Sequence, residues 1–288
     1  MTESNNFIQG KTCLITGATS GIGEITAKEL ARLGGQVIIV SRSEEKCQRT
    51  AASINEEIGA ERVTYIVADL SVMENVRQAA EDYKKSHDNL DVLVNNAGAY
   101  FTRHHETMDG YELTFALNHL SYFMLTHSLL DLLKSDGPSR IINVASDAHQ
   151  GNKITFDDLN REEKYSGFRV YGESKLANIM FTYALDRRLA DTNVTVNAVH
   201  PGFVASSFGK NNSLPVRILM SFLHLFARSS EKGAETSIYL ASNREVSGES
   251  GKYYVDKKAK RSSKVSYDTD AQERLWEVSK EMTGIDNF

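Results

Sequence analysis

Apolar and polar positions along this chain alternate between two periodicities. Short β-branched runs, KTCLIT (11–16), QVIIVS (36–41), RVTYIVA (62–68), LDVLVNN (90–96), RIINVAS (140–146) and VTVNAVH (194–200), predict strands. Longer stretches with helical spacing lie between them. Ile22, Ile25, Leu30 and Leu33 make one apolar stripe that stops at Gly34-Gly35, and the segments 44–59 and 73–87 predict more polar outer helices. Strands that are apolar throughout are buried on both faces, and right-handed crossovers place helices there. The pattern predicts an α/β domain with a doubly wound parallel sheet and helices on both faces. A further sheet-covering helix is expected over 231–242, a last strand at GKYYVD, and a packed C-terminal segment around Leu275 and Trp276 that closes the core, covers a lid or meets a neighbouring subunit.

Composition narrows the class. Of 288 residues, 41% are hydrophobic, 25% charged and only three are proline, so a single globular domain over 1–288 is expected. A net charge of −5 argues against nucleic-acid binding, and the basic stretch 252–264 reads as a solvated segment. Cys13 and Cys47 suggest neither a disulfide framework nor a zinc site. The N-terminus shows no basic-then-apolar leader, and no run reaches the ~18 apolar residues of a membrane span. A soluble, cytoplasmic protein is the expectation.

The first strand runs into TGATSGIG (16–23) and then a helix. Gly17, Gly21 and Gly23 remove Cβ atoms where backbone must approach a ligand, and the helix start at Ser20, Gly21 and Ile22 offers unpaired N–H groups to a phosphate. The first glycine interval is three residues rather than one, so an ordinary strand-to-helix turn is the competing reading. The second strand ends at Ser41 and Arg42, a hydroxyl and a guanidinium suited to a 2′-phosphate, where a carboxylate would favour a 2′-OH. This favours NADP(H), with NAD(H) open if Arg42 is only a surface residue. Asp69-Leu70 and Asn95, Ala97 and Gly98 follow the third and fourth strands, at the edge where open α/β sheets bind ligands.

Tyr171 and Lys175 in YGESK share a helix face. A free tyrosine has a pKa of about 10, and a fixed cation nearby favours the phenolate, so the pair suits a tuned acid/base. Ser146 ends the fifth strand, where its hydroxyl can hold a carbonyl oxygen or cap a turn.

Together TGATSGIG, NNAG, Asn118 in FALNHL, Ser146, YGESK and His200-Pro201-Gly202 resemble the short-chain dehydrogenase/reductase family over nearly the whole chain. The resemblance implies a Rossmann-type fold and a catalytic tetrad: Tyr171 as proton donor or acceptor, Lys175 as its modulator and nicotinamide-ribose ligand, Ser146 on the substrate oxygen, and Asn118 anchoring a relay water. It also implies cofactor contacts at Asn95, Gly98, Pro201, Gly202, Val204 and Ser206, the last a departure from a commoner Thr. No metal is implied, and the eight histidines form no ligand motif.

Twenty-five positions separate Ser146 from Tyr171, and the segment between them, with SKLAN and VHPG, resembles the retinol-dehydrogenase-like branch acting on hydrophobic aldehydes, ketones or alcohols. The apolar residues Leu214, Ile218, Leu219, Phe222, Leu225 and Phe226 fall where that family builds a substrate lid, at about 206–230. Lid, protein packing and membrane contact are its readings, in that order. A dimer or tetramer follows from the resemblance, although monomers occur in the branch. The leading expectation is a carbonyl reductase or alcohol dehydrogenase with a small-molecule partner; the alternative is a catalytically silent NADP(H)-binding sensor or scaffold.

Overall fold

The computed structural model describes residues 6–135, 137–204 and 228–286; Ser206 and the expected lid lie outside them. Within these residues one eight-stranded sheet has the order β3-β2-β1-β4-β5-β6-β7-β8. Its strands are β1 (Thr12–Thr16), β2 (Gln36–Ser41), β3 (Val63–Val67), β4 (Val92–Asn95), β5 (Ser139–Val144), β6 (Val194–His200), β7 (Lys252–Val255) and β8 (Lys258–Lys260). The first seven run parallel, and only β8 is antiparallel. The fold is the doubly wound α/β class that the apolar strand runs predict.

Helices α1 (Gly21–Arg32), α2 (Glu44–Ile58) and α3 (Met73–Lys84) alternate with the first strands. Next come α4 (Leu113–Phe115), a π-turn (Ala116–Leu120), α5 (Ser121–Ser128), α6 (Leu130–Ser135), α7 (Gly167–Arg188), α8 (Ser230–Ser242) and α9 (Thr269–Thr283). Strand side chains divide by parity. Cys13, Ile15, Val37, Ile39, Val92 and Val94 pack toward Ala27, Leu30 and Leu240, whereas Leu14, Ile38, Val40 and Leu93 pack toward Tyr83, Phe123 and Phe181. Burial on both faces explains why the strands carry no polar alternation.

Trp276 settles the role of the C-terminal segment. Its ring lies 5.1 Å from Phe123 and 5.8 Å from Phe181, with the Arg188 guanidinium 3.8 Å over it, so α9 closes the core. Part of the basic stretch folds as well: Asp256 and Lys257 take left-handed φ values of 50° and 61° and turn β7 into β8. No helix among the described residues is long and apolar enough to cross a membrane, and none of their His, Cys, Asp or Glu side chains cluster as metal ligands.

The strand order reverses between β1 and β4, which splays the following loops apart and opens a crevice at their carboxyl ends. Every sequence segment singled out for chemistry, outside the undescribed stretch, leads toward that edge.

Candidate active site

The glycine loop is fastened to the segment after β4. Thr16 Oγ1 accepts from the amides of Asn96 and Ala97, each at 2.9 Å, and Asn96 Nδ2 donates to Thr16 O at 2.8 Å and Gly17 O at 3.2 Å. Gly17 has φ +66°, and a Cβ there would lie 2.7 Å from Ala97 Cα, so neither backbone conformation nor space admits a side chain. Ser20 caps α1 with backbone only, leaving the N–H groups of its first turn without a side-chain acceptor. By contrast, Ser43, Ser229 and Asp268 cap α2, α8 and α9 through their side chains. An open helix start beside a side-chain-free loop fits a phosphate.

The remaining cradle residues divide into exposed and occupied groups. Ser41 Oγ and Thr19 Oγ1 are 3.1 Å apart at the end of β2, and Arg42 beyond them is exposed with no hydrogen bond or ion pair among the described residues. Asp69 Oδ1 is bonded by Ser71 through its amide at 3.0 Å and its hydroxyl at 2.7 Å, which fixes the turn under buried Leu70. Asn95 turns inward: its Nδ2 donates to Thr126 Oγ1 at 3.0 Å and Asn143 Oδ1 at 2.9 Å. The neighbour Asn96, not singled out from sequence, makes the loop contacts. At the other end, Gly202 has φ +85° and packs on the Arg228 side chain, and Val204 is buried where Gly233 leaves room for it beside Ile22.

Four separate chain segments meet on one turn of α7. Ser146 follows β5 and caps a 3-10 turn (Asp147–His149), accepting from Ala148 N at 3.2 Å, with its hydroxyl close enough to the Tyr171 phenol to favour the phenolate. Lys175, one turn beyond Tyr171, has Nζ 5.8 Å from the phenol ring centroid and donates to Val144 O at 2.8 Å. Asn118 sits in the π-turn, a local widening that is frequent at functional sites. Its side chain brackets Ala99, accepting from the amide at 2.8 Å and donating to the carbonyl at 3.0 Å, and also donates to Ser174 Oγ at 3.0 Å. Ser174 Oγ in turn donates to Tyr171 O at 2.7 Å. Gly98 lies against both partners: a Cβ would stand 3.2 Å from Asn118 Oδ1 and 3.4 Å from Lys175 Nζ. Among the described site residues, Ser146, Tyr171, Lys175, Asn118 and Gly98 thus come together at the crevice.

The spacer residues of YGESK explain how. A Cβ on Gly172 would lie 2.6 Å from Ala148 O, so its absence lets the turn carrying Ser146 rest directly on the helix. Ser174 ties in the π-turn, and Glu173 receives the 150–166 segment through Thr155 and Arg161. Apolar surface beside the phenol comes from Tyr100, whose ring stands edge-on to Tyr171 at 6.1 Å, and from Phe168, 67% exposed and about one turn before Tyr171 on α7.

Burial is the largest electrostatic influence on both Tyr171 and Lys175. Burial pushes Tyr171 up to about 12, tempered by the part of its ring open to water, and the Ser146 hydrogen bond acts in the opposite direction. Burial also drives Lys175 down to about 7.

The family model described as short chain dehydrogenase matches residues 11–215. The chain belongs to the short-chain dehydrogenase family. Human retinol dehydrogenase 14 (Homo sapiens) is 40% identical over 295 residues, covering 97% of this chain and 88% of that protein. Polyprenol dehydrogenase from Homo sapiens is 38% identical over 282 residues, covering 96% and 86%. The crystal structure of an uncharacterised protein from Mycobacterium paratuberculosis superposes with a TM-score of 0.80 at 30% identity, covering 99% of this chain and 97% of that one. The chain is therefore a short-chain dehydrogenase of the retinol-dehydrogenase-like branch, an oxidoreductase of carbonyl and alcohol groups in a family that uses NAD(H) or NADP(H).

Removing the buried amine tests the electrostatics of this short-chain dehydrogenase. Between pH 7 and 10.5 the unfolded chain binds a proton at Lys175 that the folded protein does not, so the wild type loses stability as pH falls through that window. Lys175→Met, measured without nucleotide by thermal unfolding, is expected to raise Tm by about 4 °C or more at pH 7, with the gap closing toward pH 10.5. An unchanged Tm at pH 7 contradicts the burial of this amine.

Proposed function

We propose that the enzyme is an NADP(H)-dependent carbonyl reductase or alcohol dehydrogenase for hydrophobic substrates, with Tyr171 as its acid/base. The observation that carries this reading is the meeting of Ser146, Tyr171 and Lys175 at the crevice, with the Ser146 hydroxyl acting on the phenol and Lys175 one helical turn away. Both hydroxyls are then available to one substrate oxygen.

The dinucleotide is assigned to Gly17, Ser20, Gly21, Ile22 and Gly23 at its phosphates, and to Gly98, Lys175, Pro201, Gly202 and Val204 toward its nicotinamide. Bound there, the nicotinamide supplies the hydride to a carbonyl carbon or takes it from an alcohol carbon. Ser146 holds the substrate oxygen. Tyr171 Oη, protonated at neutral pH, delivers its proton to that oxygen in reduction and takes it back in oxidation. Lys175, half-protonated near pH 7, supports that exchange through its charge. Asn118 sets the shape of the pocket floor by holding Ala99 and Ser174.

Two features support NADP(H) over NAD(H): the paired hydroxyls of Thr19 and Ser41, and the unengaged guanidinium of Arg42. An apolar substrate is supported by the exposed Phe168 about one turn before Tyr171 on α7, and by relatives named for retinol and polyprenol, both apolar alcohols.

Loss of NADPH absorbance with retinal and a panel of other hydrophobic carbonyls tests the reading. Binding without turnover across the panel would instead favour a sensor or scaffold. Tyr171→Phe is expected to lower kcat by about 10²–10⁴-fold while NADPH affinity stays near wild type; full retained activity refutes the acid/base role. Arg42→Ala should weaken NADPH by about 10–100-fold in Kd and leave NADH unchanged, in titrations followed by fluorescence. Equal or tighter wild-type binding of NADH would overturn the cofactor assignment.

A further inference from the structure

Glu173 stands midway between Tyr171 and Lys175, yet it serves neither. Two residues along a helix turn through about 200°, so its carboxylate leaves the face opposite theirs. It is 2% exposed and collects four donors: the Arg161 guanidinium, Arg169 Nε at 2.9 Å, Thr155 N at 3.2 Å and Thr155 Oγ1 at 3.4 Å. Three of these come from the 150–166 segment.

Arg161 is held in an unusual state to reach it. The residue is 7% exposed, its φ is +59°, and its Nε has no partner among the described residues. A left-handed non-glycine backbone and a buried guanidinium both need compensation from the surroundings. The Glu173 carboxylate supplies the only ion pair to Arg161 among the described residues.

The anchored segment is stitched in turn to the wall of the crevice. Tyr165 Oη donates to Phe101 O at 3.0 Å, His104 Nε2 meets Asn160 O at 2.7 Å, and Asn160 Nδ2 donates to Gly110 O at 3.1 Å. The next residue of that wall is Tyr100, whose ring abuts Tyr171. A continuous path of hydrogen bonds and packing therefore runs from the back of the catalytic helix, around the rim, to the apolar mouth over the phenol.

We propose that Glu173 is a positioning residue that fixes the 150–166 rim and the Tyr100–Phe101 wall against α7, and through them sets the selectivity for long apolar substrates over compact ones. It acts through Arg161 and Thr155 and touches neither substrate nor cofactor. The proposal rests on the carbonyl-reductase reading, because only a substrate reaching past the mouth meets the rim.

The test compares kcat and KM for decanal and propanal, with NADPH, in wild type, Glu173→Gln and the double variant Glu173→Gln/Arg161→Met. Glu173→Gln is expected to lower kcat/KM for decanal by roughly tenfold or more, chiefly through KM, while kcat for propanal and NADPH affinity stay within about twofold. The double variant removes the uncompensated guanidinium and with it the destabilisation, so its Tm should recover while the decanal preference stays lost. If the double variant regains both Tm and preference, or if Glu173→Gln leaves the decanal-to-propanal ratio within about twofold of wild type, Glu173 has no positioning role and the proposal fails. If wild type reduces neither aldehyde nor any carbonyl of the panel, the functional reading itself fails and this proposal with it.

Discussion

One turn of α7 carries the geometry on which the site depends. Between the phenol and the amine, each spacer residue receives a different part of the chain: Gly172 the Ser146 turn, Glu173 the 150–166 segment, and Ser174 the π-turn with Asn118. The three contacts are of three kinds, a missing Cβ, a buried ion cluster and a hydroxyl shared between two partners. At Gly172 a Cβ would meet both the backbone carbonyl of Ala148 and the Asn152 side chain, and at Glu173 the partner is a buried guanidinium, so a change at either position is felt by its neighbours. The candidate catalytic residues are thus brought together by packing on a helix.

That assembly carries an electrostatic cost. Lys175 is buried with hydrogen bonding to Val144 O but no carboxylate partner among the described residues, and Tyr171 is pushed toward its neutral form. Beneath them runs a chain of amides and hydroxyls, in which Asn178 donates to Val144 O, Asn143 to Thr182 and Asn95 to Asn143. Polar groups buried in this density specify one arrangement of β4, β5 and α7, at the expense of a drier, more stable interior. Burial raises the proton affinity of the phenol, and the Ser146 hydroxyl opposes it.

Much of the fold was legible because burial on both sheet faces writes itself as unbroken apolar runs. QVIIVS and VTVNAVH coincide with β2 and β6 at both ends, and the polar helix α2 stops at its predicted glycine. The short strand β8 was missed, since a three-residue edge of Lys-Ala-Lys has no apolar pattern and is defined only by its partner β7. The site residues read from motifs meet because the fold brings strand ends together, which spacing along helices alone does not reveal. Asn95 and Asn96 show the limit: at the end of β4 they turn to opposite sides, and which of the two holds the glycine loop depends on the hydrogen bonds of Thr16, which no local pattern reveals. Glu173 and Arg161 were equally silent, because an ion pair across 12 positions and a left-handed backbone leave no local pattern.

The docking of Ser146 through Gly172 is tested most directly by kcat of Gly172→Ala with NADPH and a hydrophobic aldehyde, measured alongside NADPH affinity. The added methyl must displace Ala148 O and with it the hydroxyl that meets the phenol. A loss in kcat on the order of 10²-fold with unchanged NADPH affinity is expected. Wild-type kcat in that variant would contradict the claim that one turn of α7 aligns the reacting groups.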